Sequence, residues 1–154
     1  MKQSIVSFLF LFILGSTLQA QIKSPSEFLP NYGKQITFYH QTEAYFGHLV
    51  KESSFIKHQV YGQTNEERNL NVYFVSTPEN LANLDQIRNN NLSAIGLSNQ
   101  KNQKIGDKLI VWISFSVHGN EYAGMESAMT VAYELLNPAN KESKEWLKNT
   151  IVIL

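Results

Sequence analysis

The 154-residue chain contains no cysteine. Disulfide scaffolds, cysteine zinc sites and thiol catalysis are therefore excluded, and any metal must be held by His, Asp, Glu or backbone oxygen. A charge surplus is lacking as well: 13 Lys+Arg balance 13 Asp+Glu. A nucleic-acid binder needs a basic excess to follow phosphates, so no nucleic-acid partner is expected. Long apolar runs are also missing. Ile5–Leu14, interrupted only by Ser7, spans ten residues, where a membrane-spanning helix needs roughly 20. There is no internal repeat and no low-complexity tract. What remains, 43% hydrophobic and 12% aromatic, is ordinary globular material.

The first twenty residues have the three-part form of a secretory signal peptide. Lys2 supplies the positive start, Ile5–Leu14 the apolar centre, and Gly15 to Ala20 the small residues before a cut. Residues 1–20 are expected to be removed, leaving 21–154 as a secreted or periplasmic protein with no membrane association. No Cys follows the apolar run, so lipid attachment of the bacterial lipoprotein type is excluded.

Gln21 to Tyr32, with Pro25 and Pro30, reads as an extended lead-in. Gln35–Tyr39 is β-prone, and a helix capped by Thr42 follows, with Tyr45, Phe46, Leu49 and Val50 on one side. Ile56–Tyr61 and Leu70–Val75 read as strands of a hairpin around the polar stretch 62–68. Ser76-Thr77-Pro78 starts a helix with Leu81, Leu84 and Ile87 as its stripe. Asn99 to Asp107 is polar, with a turn at Gly106-Asp107. Leu109–Val117 (LIVWISFSV) is apolar at almost every position and predicts a strand buried on both faces. Ala123–Leu136 is a helix stopped by Pro138, and a short helix over Glu142–Leu147 leads into a last buried strand, Thr150–Leu154. Strand, helix, strand with apolar strands is a βαβ unit of an α/β sheet. No turn or polar tail follows that last strand, so the chain is expected to be the front part of a larger domain.

His and Glu three apart can grip one zinc ion when the backbone turns both inward. Two places qualify, His40–Glu43 and His118–Glu121, and spacing alone does not decide between them. His40 precedes a surface helix, where Glu43 reads as a first-turn acid favoured by the helix dipole. His118 and Glu121 sit where an apolar strand gives way to a helix, at the carboxyl edge of the sheet, where open α/β sheets bind ligands. Gly119 permits a sharp turn. A strand-ending His beside a helix-capping Glu fits the same residues equally well.

Ser116-Val117-His118-Gly119-Asn120-Glu121, after a hydrophobic strand, resembles the first zinc-binding motif of the M14 family of zinc carboxypeptidases. Upstream, Tyr61 to Leu70 resembles that family's Gly-x-Ser/Thr-x-Glu-Gly-Arg-x-Leu/Ile hairpin, with Glu67 where the family usually has Gly. From about Gln35 to Leu154 the order of elements follows the family. The resemblance implies an α/β fold: the N-terminal portion, 21–154, of a helix-covered mixed β-sheet domain of the zinc carboxypeptidase type. It makes His118 and Glu121 two ligands of Zn2+ and gives Arg68 a structural role. The family's third ligand, its substrate-binding Arg, its active-site Tyr and its general-base Glu fall beyond Leu154, so this stretch alone is expected to be inactive. The implied activity is hydrolysis at the C-terminus of peptides or proteins. The alternatives are a zinc N-acyl amino acid amidohydrolase of the aspartoacylase or succinylglutamate desuccinylase type, and a non-catalytic exported remnant.

Overall fold

A computed structural model describes residues 21–97 and 108–154. The expected leader and the turn at Gly106-Asp107 lie outside the described residues. Helix α1, Pro25–Phe28, replaces the expected extended lead-in. Ser24, with both its N–H and its hydroxyl, donates to the Glu27 carboxylate at 2.7 Å, and Pro25 needs no partner at the first helical position.

Helix α2, Tyr39–Glu52, starts earlier than expected, and the strand expected over Gln35–Tyr39 does not form. The Gln41 side chain accepts from the Phe38 N–H at 2.8 Å, so the helix begins there. Thr42 is therefore not the cap: it lies one turn inside and is buried. Tyr45, Phe46 and Leu49 form the buried stripe, as their spacing predicts.

Strands β1, Ile56–Gln63, and β2, Asn69–Val75, make the expected antiparallel hairpin, with Ile56 opposite Val75 and an irregularity between Val60 and Gly62. Its turn is closed by Thr64, whose carbonyl accepts from the Glu67 N–H at 2.9 Å and whose hydroxyl accepts from the Arg68 N–H at 3.1 Å. Glu67 has φ +60°. A side chain there costs about 1–2 kcal/mol that glycine avoids, offset in part by glycine's freer unfolded chain. Glu67→Gly is accordingly expected to stabilise the fold by about 0.5–1 kcal/mol. Urea unfolding checks this, and an unchanged or lowered midpoint would count against it.

Helices α3, Pro78–Ala82, and α4, Leu84–Ala94, follow. Thr77 caps the first, accepting from the Asn80 N–H at 3.3 Å, with Pro78 at its first position. After strand β3, Leu109–Trp112, helices α5, Ala123–Leu136, and α6, Lys141–Leu147, lead to strand β4, Thr150–Ile153. Strand β4 runs parallel to β3 and antiparallel to β2, giving the mixed order β1-β2-β4-β3. The βαβ unit is thus present.

Strand β3 differs from expectation. It ends at Trp112 rather than Val117 and is the outermost strand among the described residues, with Leu109 63% and Trp112 75% exposed. An apolar run reports a strand but not its place in the sheet. After the Ile113 N–H bonds the Ile153 carbonyl at 2.8 Å, the chain leaves the ladder.

One core forms where α2 and α5 meet the sheet. Tyr45, Phe46 and Leu49 pack with Ala128, Met129, Ala132 and Leu136 against Ile56, Tyr73, Val75 and Val152. Ile151, which alternates to the other face, is buried apart from this cluster, as are Leu81 of α3 and Ile87 of α4. The sheet is therefore helix-covered. A buried polar hub joins α3 to the α6–β4 junction. The Ser76 hydroxyl reaches the carbonyls of Leu147 (3.0 Å) and Thr150 (2.8 Å), and the Asn80 amide donates to Ser76 Oγ and to the carbonyls of Leu147 (3.1 Å) and Lys148 (3.2 Å).

Candidate metal centre

Residues 113–122 carry the chain from the end of β3 to the start of α5. Ile113 and Phe115 keep packing against the core, and Val117 to Glu121 turn out into solvent. The Glu121 N–H donates to the His118 carbonyl at 3.0 Å, closing the turn. His118 and Glu121 do converge: Nδ1 and Oε1 are 3.1 Å apart. Their support differs from expectation. His118 does not end a buried strand and Glu121 does not start the helix. Both are on the connecting loop, with side chains 69% and 63% exposed. Strand β3 stopped early, and α5 begins only at Ala123.

A 3.1 Å separation is that of an ordinary His–Glu polar contact and is also compatible with a shared zinc ion. With bonds of about 2.0–2.1 Å, two ligands of a tetrahedral ion stand roughly 3.3 Å apart, close to the observed separation. Solvent on the outer side leaves room for further ligands. Among the described residues no third His, Asp or Glu joins the pair.

The other spaced pair takes separate partners. The His40 ring stacks on Phe38 at 6.0 Å between centroids. Glu43 lies beyond the first turn of α2 and faces the hairpin, where it accepts from the Asn71 amide. Asn71 Oδ1 in turn meets His58 Nε2 at 2.7 Å. The first-turn role expected for Glu43 is thus replaced by a link between α2 and β2. Arg68 pairs with Glu66 at 2.7 Å and lies 5.8 Å from the centre of the Tyr39 ring.

Half-burial raises the pKa of Glu43 above its ordinary value, against the opposing pull of His58 and a hydrogen bond with Tyr73. A raised folded pKa means stability that is fully present below the unfolded pKa and lost as pH rises through the folded one. Glu43→Gln is expected to stabilise the protein at pH 7 by a fraction of a kcal/mol, solvent screening keeping the effect small. The gain should disappear by a pH of about 3.5, below the ordinary glutamate value. Thermal unfolding of both proteins across this range tests it; a gain independent of pH would contradict the assignment.

A cleft of about 910 Å³ opens at the carboxyl ends of β3 and β4. Phe46 of α2, Met125 of α5, Trp112 and Phe115 make its walls largely apolar, and Ser116, two residues before His118, lies on its rim. Sequence reasoning missed two features around the start of α5. One is Glu126, which ties the N-terminal segment to α5 by accepting from the Thr37 hydroxyl at 2.9 Å; an acid in the first turn of a helix was its only signal. The other is the approach of Ser116 to Gly124, which no local pattern announces.

The mixed α/β sheet thus carries a His–Glu pair on the loop after β3 and a cleft at the carboxyl ends of its parallel strands. The sequence profile of the zinc carboxypeptidase family matches residues 42–154, well over half of the chain and inclusive of the hairpin, the parallel strands and the 118–121 turn. The chain belongs to the zinc carboxypeptidase family, whose members are hydrolases of peptide or protein substrates and typically depend on zinc. No curated protein and no solved structure matches it.

Proposed function

We propose that the protein is an exported zinc metallocarboxypeptidase in which His118, through Nδ1, and Glu121, through Oε1, supply two of the metal ligands. The observation that carries the reading is the 3.1 Å convergence of those two donors at the carboxyl edge of the parallel strands, in a chain of this family. A zinc ion held there would supply Lewis-acid polarisation of the scissile carbonyl and acidify a bound water. His118 offers a ring nitrogen lone pair, and Glu121 an anionic oxygen that offsets part of the metal charge. The apolar cleft gives a substrate side chain a place out of water.

The test uses the complete protein isolated from medium or periplasm, not the 21–154 stretch alone, with its N-terminus expected at Gln21. An amino-blocked peptide should lose its C-terminal residue, and chelation should stop the release. Cleavage of small N-acyl amino acids with no action on peptides would contradict the proposal.

A further inference from the structure

Two exposed ligands on a ten-residue loop are poorly fixed unless something holds the loop, because metal affinity depends on donors already in place. Such a hold is visible between the two ends of the segment. Ser116 has φ +55°, a left-handed conformation that a non-glycine residue keeps only where its surroundings impose it. Against it lies Gly124, the second residue of α5. A Cβ on Gly124 would lie 2.7 Å from the Ser116 nitrogen and 3.0 Å from its Cα, too close for either to remain in place. Glycine in a helix is weaker than alanine, and here its missing side chain is what lets the Ser116 backbone dock. The same two residues converge on one carbonyl, that of Glu121. It accepts from the Ser116 hydroxyl at 3.2 Å and from the Gly124 N–H at 3.1 Å. The Glu121 N–H is in turn bonded to the His118 carbonyl.

We propose that Ser116 and Gly124 are positioning residues: together they form a backbone clamp that sets the His118–Glu121 donor separation before metal arrives. The proposal rests on the metal role assigned to that pair. Gly124→Ala should force Ser116 away and open the donor pair. Ser116→Ala should keep the backbone approach and lose only the hydroxyl bond.

Nuclear magnetic resonance of the chain tests the clamp in two arms. Without metal, the backbone coupling at Ser116 should report positive φ in the native protein and lose that signature in Gly124→Ala, while residues 128–136 of α5 keep their shifts. With zinc added, Gly124→Ala should bind roughly tenfold or more weaker than native, as loss of ligand support does elsewhere, and Ser116→Ala should fall between the two. A core change away from the loop, Met129→Leu, should alter stability without altering zinc affinity. A retained positive-φ signature in Gly124→Ala, or native zinc affinity despite its loss, would overturn the clamp. If Gly124→Ala does not fold, Ser116→Ala with native affinity would overturn it instead. If the native chain shows no zinc-dependent change at His118, it is the metal reading that fails, and the metal-free arm still decides whether the clamp exists.

Discussion

His118→Ala is expected to weaken zinc binding by more than about 100-fold, because it removes one of the two donors assigned among the described residues. His40→Ala should bind as the native protein does. The contrast follows from where each imidazole points. His118 Nδ1 faces Glu121 Oε1 at 3.1 Å with solvent beyond, whereas the His40 ring lies on Phe38 and its spaced partner Glu43 is taken up by Asn71. Equilibrium dialysis against zinc gives the comparison directly. Equal affinities for the two variants would remove the ligand assignment, and a loss in His40→Ala alone would move the site to the other pair. In the active protein the same His118→Ala change should abolish peptide hydrolysis.

The largest expected loss of stability comes from a residue far from the metal. Asn80→Ala should destabilise the fold by about 1–3 kcal/mol, since it removes several buried amide hydrogen bonds at once, leaving the Leu147 carbonyl to Ser76 and the Lys148 carbonyl to Lys108. Asn80 is buried, and its amide serves the last carbonyls of α6 and the Ser76 hydroxyl at once. Those carbonyls sit where α6 ends and β4 begins, so the change loosens β4, one of the two inner strands of the described sheet. Asn80→Asp, which keeps the size but loses the amide donors, should cost at least as much. Denaturant unfolding of both variants measures it. A midpoint within error of native for Asn80→Ala would show that water reaches these carbonyls and that the hub is not structural.

The parts of the fold that sequence made legible were those with local causes. Helix α5 was read to its final residues because its apolar spacing and the stop at Asn137-Pro138 act within one or two turns. The hairpin was legible from two β-prone runs around a polar turn, and α3 from Thr77-Pro78. Errors arose where tertiary structure chose. The apolar run from Leu109 could not say that β3 is outermost among the described strands or that it ends at Trp112. Thr42 has the chemistry of a cap, yet Gln41 reaches back to Phe38 and starts α2 a turn earlier. The candidate site divides in the same way. The His118–Glu121 spacing lies on four consecutive residues and was visible; the Ser116–Gly124 approach depends on how a strand exit and a helix start pack, and no pattern along the chain encodes it. Glu67 lies between these cases. Its departure from the glycine usual in resembling hairpins pointed to the turn, and its φ of +60° shows what that glycine would have relieved.

The most direct measurement follows the ring nitrogens of the four histidines by ¹⁵N resonance while zinc is added to the metal-free protein. A centre at His118 and Glu121 predicts that the Nδ1 signal of His118 shifts and that the rings of His40, His48 and His58 do not respond. A response at His40 with His118 unmoved, or one confined to the Nε2 of His118, would contradict it.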